Sequence, residues 1–478
     1  MTRLRSLGYW LTPALVTLIV YWPGLLAWFQ KDDFAWLQLH NMVENGEGLT
    51  TALFHPFAQG TIRTLSERVF FLGFYELFGT DALPYRCLGF LTHFANLALI
   101  AIVCRKLTGS RVAGFWAAML YTLNSVLAVP LSWTCIYYEI LCTFCFLLNL
   151  WLSIRYAETG RGLYWLWMWC LFLLGFGVLE LNVVYPAIAL LWALCCARQL
   201  IWRVLPLFIP SGVYTVIHFA VTTPAHDGPY KMFWDLSMAK TLWTYFAWSL
   251  GPSRLWLLGI PPSFLRSAAT VLLIAGLLGF LCWKLWKREW VVAVFPGWFF
   301  IVLLPLLPLR DHLSEYYLTI PVVGLAMLGG WAIATGLQSQ WKVKAATVVL
   351  AALYIAVSVP VGYTTSKSFY DRSKRMESLV EGVAALHEVH PKKEIVLKNA
   401  EAEMIRSAIY HNPFRIYGFG QAYLVPEDEA AFRSDAMYGV MKERFMDAAQ
   451  LRQLIASQRA AVYDVRDERP VDVTATYH

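Results

Sequence analysis

The chain is poor in charge. Asp, Glu, Lys and Arg make up 15% of its 478 residues, where soluble domains carry about 25%. Set against 58% hydrophobic residues, 16% aromatic residues and a mean hydropathy of +0.51, that shortage excludes an ordinary soluble protein. The class it implies is an all-α polytopic membrane protein. An extended basic face is also missing. The net charge of +7 comes from short clusters between apolar runs, a pattern that reports membrane topology and excludes a nucleic-acid partner. There is no glycine-rich phosphate loop, internal repeat or low-complexity tract. The nine cysteines lie in or beside apolar runs, with none beyond Cys282, so no disulfide framework is implied.

What is present is a series of apolar runs. A helix needs about 20 such residues to cross roughly 30 Å of hydrocarbon, and the backbone there must be helical. Spans are expected at 8–29, 84–104, 111–131, 136–154, 162–179, 181–197, 204–222, 266–283, 290–308, 316–336 and 345–363. If these eleven alternate, Arg3/Arg5, Arg105/Lys106/Arg111, Arg155/Arg161, Arg198/Arg203, Lys284/Lys287/Arg288 and Lys342/Lys344 share one face, which the positive-inside rule makes cytoplasmic. The first loop and the C-terminus then lie outside, in keeping with a bacterial inner membrane. Residues 232–262 are apolar enough to cross, but a crossing would move Lys284 outside. They are expected to form an interfacial or re-entrant helix broken at Gly251-Pro252 and Pro261-Pro262. The first span outlasts a signal-peptide core and lacks a small-residue cleavage site, so it is expected to remain as an anchor.

Composition changes near residue 364, dividing the chain into a membrane domain, 1–363, and an extracytoplasmic tail, 364–478. In the tail, helices are expected at 373–390, 400–411 and 441–457, strands at 394–398 and 460–464, and a further strand at 414–417. That alternation implies a small α/β domain.

Acidic residues are scarce, so their positions carry information. Asp32 and Asp33 lie just past the first span, in a loop of residues 30–83 that is far longer than a connection needs. The loop also holds Arg63, Glu67 and Arg68, with short aromatic stretches suited to a membrane surface. A carboxylate at a low-dielectric boundary can take a proton from a hydroxyl as general base, and a guanidinium can hold a phosphate bidentately. Together they suit transfer of a group from a phosphate to a hydroxyl. On an outer face, where nucleotide sugars are scarce, the donor would have to arrive in the membrane as a lipid phosphate.

The order of these features resembles the C-type (GT-C) glycosyltransferases. The acidic pair is followed by Arg63-Thr-Leu-Ser66, the amphipathic stretch Phe70–Tyr85 and His93 in the second span. Leu179-Glu-Leu-Asn-Val-Val-Tyr-Pro186 is similar to the Lys-Glu and later proline that open a span in the branch of dolichyl-phosphate-mannose-protein mannosyltransferases. Leu179 stands where that motif has its lysine. Glu315-Tyr-Tyr-Leu-Thr-Ile-Pro321 resembles a second motif of that branch, with Tyr316 in a basic position. The resemblance spans roughly residues 8–335 and implies an inverting transferase that uses a polyprenyl-phosphate-linked sugar, with an acidic residue of the first loop as base. The acceptor could be protein, lipid or glycan.

The candidate catalytic residues are therefore Asp33, preferred over Asp32, and Glu67. The candidate donor-phosphate or substrate contacts are Arg63, Arg68, Glu180, Arg310, His312 and Glu139. No obligatory cofactor is expected, since arginine can balance a monophosphate leaving group, although an acidic pair could also hold a divalent ion. Plainer readings stand beside these. Asp32 or Asp33 could cap a surface helix. Glu67 could be a salt-bridge partner, Glu180 and Glu139 interface carboxylates, and Arg310-Asp-His312 a solvated turn. A flippase of lipid-linked sugars is the rival function. It would distribute charge at several depths and show paired halves, whereas the acids here gather at one end.

Overall fold

A computed structural model describes residues 2–46, 48–56, 61–222, 228, 230–251, 254, 264–435, 437–466 and 469–477. Each of the eleven segments expected to span is largely helical, and the helices differ widely in length. Among the described residues five helices are long and apolar enough to cross a membrane: Ala82–Thr108, Thr134–Thr159, Arg198–Val221, Ala268–Trp286 and Trp341–His387. A sixth crossing is made if Arg111–Thr122 and Ser125–Ser132, bent by 53°, count as one span. The bend is built by Asn124, whose side chain accepts from Val126 N at 3.1 Å and donates to Ser249 O at 2.9 Å. Gly162–Gly175, Glu180–Cys196, Trp290–Leu306 and Val322–Gly336 are shorter apolar helices. The chain is an integral membrane protein.

The helices pack through small residues, as helices in lipid must when no hydrophobic drive separates tail from side chain. The helix Val322–Gly336 presses so closely on Arg111–Thr122 that a Cβ on Gly330 would fall 2.5 Å from Ala117 N and 2.6 Å from Ala113 O. One end of the bundle gathers the basic loops: Lys106 Nζ pairs with Glu158 Oε1 at 2.8 Å, and Arg111 lies over the Tyr9 ring at 4.6 Å. The opposite end gathers the long first loop, the 133–139 and 179–184 turns, residues 308–318 and the tail.

The helix Ser237–Leu250 ends at Gly251 in extended backbone, one of the two expected breaks; the other, Pro261-Pro262, lies outside the described residues. Its approach is tied by Phe233 N to Pro308 O at 2.9 Å, and Arg254 beyond it pairs with Glu315 Oε2 at 2.5 Å. Both flanks of this segment therefore meet the 308–315 stretch.

The last span does not stop at the membrane. Trp341–His387 is a single helix of 47 residues, about 70 Å at 1.5 Å per residue, more than twice a hydrocarbon core. Its later turns bury Met376, Leu379, Val380 and Val383 in the tail. The tail sheet has β1 (Glu394–Lys398), β2 (Ala422–Leu424), β3 (Ala460–Asp464) and β4 (Val471–Asp472) in the order β2-β1-β3-β4. β1 is parallel to both neighbours and β3 antiparallel to β4. The strand expected at 414–417 is instead a 3-10 turn, Pro413–Tyr417. Asn412 at φ +52° and Gly418 at φ +77° turn the chain sharply on either side, which a strand cannot absorb.

Candidate functional site

The first loop folds into short helices, Asp33–Leu37, Leu39–Glu44, Leu49–Phe54 and Phe70–Phe78, with a π-helical turn at Thr64–Val69. The two aspartates part company at the start of the first of these. Asp33 points inward and is fully buried. Its Oδ2 accepts from Gln30 N at 3.1 Å and its Oδ1 from Cys135 N at 2.6 Å, which ties the loop to the turn before the helix Tyr137–Thr159. Burial pushes the Asp33 carboxyl up to about 7, against the pull of Arg86 and the two backbone N–H groups. Asp32 points outward, its side chain 50% exposed, with His411 Nδ1 at 3.4 Å.

Arg63 organises a second group. Its Nε donates to both oxygens of Glu180, at 3.1 and 3.0 Å, and its Nη1 to Glu67 Oε1 at 2.8 Å, while the guanidinium lies 4.0 Å from the Tyr138 ring centre. One arginine thus neutralises two acids and clamps the first loop to the turn at 179–184. Ser66 Oγ donating to Val178 O at 2.6 Å and Leu65 N donating to Gly177 O at 2.8 Å close the same seam. Burial holds the Glu67 carboxyl above its ordinary range, opposed by Arg63. Glu139 is buried nearby, and neither of its oxygens has a hydrogen-bond partner among the described residues. Arg68 is buried with its guanidinium over the Trp36 ring at 4.4 Å, and its Nη2 donates to Thr61 O.

Arg310 and His312 lie on a different wall. Arg310 stacks on Phe233 at 3.5 Å and pairs with the exposed Asp235 at 3.3 Å. The His312 ring lies 4.3 Å from that of Tyr230.

Three cations that sequence reasoning did not select act together here: Lys31, next to Asp32, shares the Phe369 ring with Arg372 and feels the charge of Arg254. Lys31 Nζ lies over Trp133 at 4.8 Å and Phe369 at 5.9 Å, with no carboxylate within 4 Å among the described residues. Burial, and then the charge of Arg372, lower its ammonium to about 8; Asp32 opposes them and Arg254 adds to them. Arg254 is held by Glu315, and Arg372 Nε by Glu403 Oε1 at 2.9 Å. Lys31 was adjacent to the acidic pair and could have been noticed. Arg372 and His411 come from the tail, more than 300 residues away in sequence, and no motif marks them.

A cavity of about 910 Å³ has a mostly apolar lining. It runs from Asn124, Ser249 and Leu250 to the turn at Gln338–Gln340, between the helices Phe264–Trp286, Val322–Gly336 and the start of Trp341–His387. Among the described residues no three His, Cys, Asp or Glu side chains are grouped to hold a metal ion. Asp33, Glu67 and Glu180 are committed to backbone N–H groups or to Arg63, whereas the carboxylates of Asp32 and Glu139 are not.

No family model matches the chain, and no curated protein sequence does. Solved structures do. The Archaeoglobus fulgidus oligosaccharyltransferase in complex with zinc and sulfate aligns over 85% of this chain with a TM-score of 0.51 at 11% identity. Its apo form aligns over 96% with a TM-score of 0.52, also at 11% identity. The chain spans 61% and 69% of the length of that protein in the two structures. ArnT from Cupriavidus metallidurans bound to undecaprenyl phosphate aligns over 96% of this chain and 93% of its own, with a TM-score of 0.46 and 14% identity.

Proposed function

We propose, from the premise that this chain has the GT-C fold of membrane glycosyltransferases, that it moves a sugar from a polyprenyl phosphate to an acceptor hydroxyl. The observation that carries this reading is a half-exposed carboxylate, Asp32, next in sequence to a partly buried lysine, Lys31, that has no carboxylate within 4 Å among the described residues and lies in the field of two further cations. A phosphate monoester or diester fits the field of Lys31, Arg254 and Arg372. The apolar cavity that begins at Ser249 and Leu250, four residues before Arg254, suits a prenyl chain.

In the reaction Asp32 takes the proton of the acceptor hydroxyl. The acceptor oxygen forms a bond to the anomeric carbon as the bond from that carbon to the phosphate oxygen breaks, with inversion. The leaving oxygen keeps the electron pair, and the charge is met by Lys31 and its neighbouring arginines. Asp33 holds the loop in place from behind through the backbone of Gln30 and Cys135. Arg63, with Glu67 and Glu180, fixes the opposite wall. No step is routed through a metal.

The test is to incubate the purified protein with labelled polyprenyl-phosphate sugars and follow release of the polyprenyl phosphate. Asp32→Asn abolishes release and leaves the folded protein intact. Full activity in Asp32→Asn would remove this carboxylate from the mechanism.

A further inference from the structure

The tail reaches into the site through one side chain. We infer that His411 positions Asp32 and shares the proton Asp32 receives, so that the tail completes the catalytic base; this rests on the reading of Asp32 given above.

Several contacts fix the approach. Lys31 N donates to Ser407 O at 2.6 Å, and Gln38 Nε2 donates to the carbonyls of His411 and Asn412 at 2.9 and 3.1 Å. Asn41 Nδ2 donates to Arg415 O, and Arg444 Nη1 to Asn412 Oδ1 at 2.6 Å. Asn412 is held at φ +52°, an uncommon conformation for a residue with a side chain, directly after the histidine. The first loop therefore grips the stretch 407–415 at both ends, and the His411 ring is left facing Asp32 with 13% of its side chain exposed.

The protonation logic follows from this surround. The ring faces the Asp32 carboxylate, with Nδ1 3.4 Å from Oδ1, and the charge of Lys31 also bears on it. With the imidazole neutral and the carboxylate ionised, the pair can bind one further proton. The proton that leaves the acceptor hydroxyl is that proton. It rests between Asp32 Oδ1 and His411 Nδ1 while the sugar–phosphate bond breaks, and passes to water when product leaves. Burial holds the free imidazolium below its ordinary range, which keeps the pair short of that proton before the reaction.

His411→Gln and His411→Ala test this in the full chain with a polyprenyl-phosphate sugar as probe. Both lower kcat by about 10²-fold or more, the range of general acid–base assistance, and leave the KM for the donor unchanged. In both, the acid limb of the kcat profile moves to lower pH, because a carboxylate without the imidazole binds its proton less tightly. Imidazole added to His411→Ala restores part of the rate. Gln38→Leu, which loosens the grip on the His411 backbone and leaves both side chains in place, gives a smaller fall in kcat and the same donor KM. A histidine that merely packs would lower the folded fraction and leave the pH limb where it was. If Asp32→Asn is inactive while kcat and the pH limb of all three variants match the wild type, the role of His411 is overturned and the base stands. An active Asp32→Asn overturns the base itself.

Discussion

Removing the guanidinium of Arg63 should cost more stability than any other single truncation at this end of the bundle. Arg63→Ala deletes the three hydrogen bonds that neutralise Glu67 and Glu180 at once. The side chain of Glu67 is 1% exposed and that of Glu180 21%, so the two acids are left facing each other with little water to screen them. Breaking a buried ion pair from one side costs about 3–5 kcal/mol, a large part of the roughly 5–15 kcal/mol that holds a typical domain together. The deficit has a pH signature. Burial already raises the folded-state Glu67 carboxyl, and Arg63 is the main opposing influence. In the variant the folded protein therefore holds this proton more strongly still than the unfolded chain does, so stability falls as pH rises through the carboxyl's folded value. The assay is thermal unfolding in detergent at pH 5 and pH 8, with Arg63→Ala/Glu67→Gln/Glu180→Gln as control. The single variant should be worse at pH 8 than at pH 5, and the triple variant should recover much of the loss. A single variant as stable as the wild type, or a deficit that does not change with pH, would refute this account of the Arg63 group.

Further outcomes follow from other sites. Asp33→Asn should destabilise by about 1–3 kcal/mol, because an amide cannot accept from both Gln30 N and Cys135 N. Because the folded Asp33 carboxyl keeps its proton to about pH 7 and an unfolded one releases it near 3.9, wild-type stability should decline between those values and the decline should flatten in Asp33→Asn; unfolding midpoints from pH 4 to 8 measure this. Lys31→Gln should raise the KM for the donor and lower kcat, because Lys31 meets the phosphate charge both in the bound donor and as the leaving oxygen gains it. In the wild type the same KM should rise above pH 8 as the ammonium is lost, and Lys31→Arg should remove that rise. Gly330→Val should reduce the yield of folded protein, since its first carbon already collides with the Ala113–Ala117 backbone, whereas Gly279→Ala meets nothing within 4 Å and should express normally.

How much of this was legible in the chain depends on the range of the interaction concerned. Apolar runs report their environment residue by residue, so the helical segments and the strands 394–398 and 460–464 could be read directly. Neighbouring residues also set the helix stop at Gly251 and the unusual first loop. Local pattern misled at 414–417, where the hydrophobic alternation suits a strand but the flanking backbone, Asn412 and Gly418, dictates a turn. It was silent on the continuity of the helix 341–387, because a change from lipid-facing to core-facing residues looks like a boundary even when the backbone hydrogen bonds run through it.

The sequence by itself determined that the protein lives in a membrane, that the acids of its membrane domain lie mostly in the first loop and at span ends, and that the order of its motifs resembles that of the GT-C glycosyltransferases. Composition and order decide those things. Only the tertiary structure decided which of two adjacent carboxylates is open to solvent. Asp32 and Asp33 have nearly the same neighbours in sequence, but one helical step turns Asp33 into the backbone of residue 135 and Asp32 toward the tail. Only the tertiary structure, likewise, spent Arg63 on Glu67 and Glu180, and brought Lys31, Arg254, Arg372 and His411 together from four distant parts of the chain. Charges pair by distance in space, and spacing along the chain does not encode it.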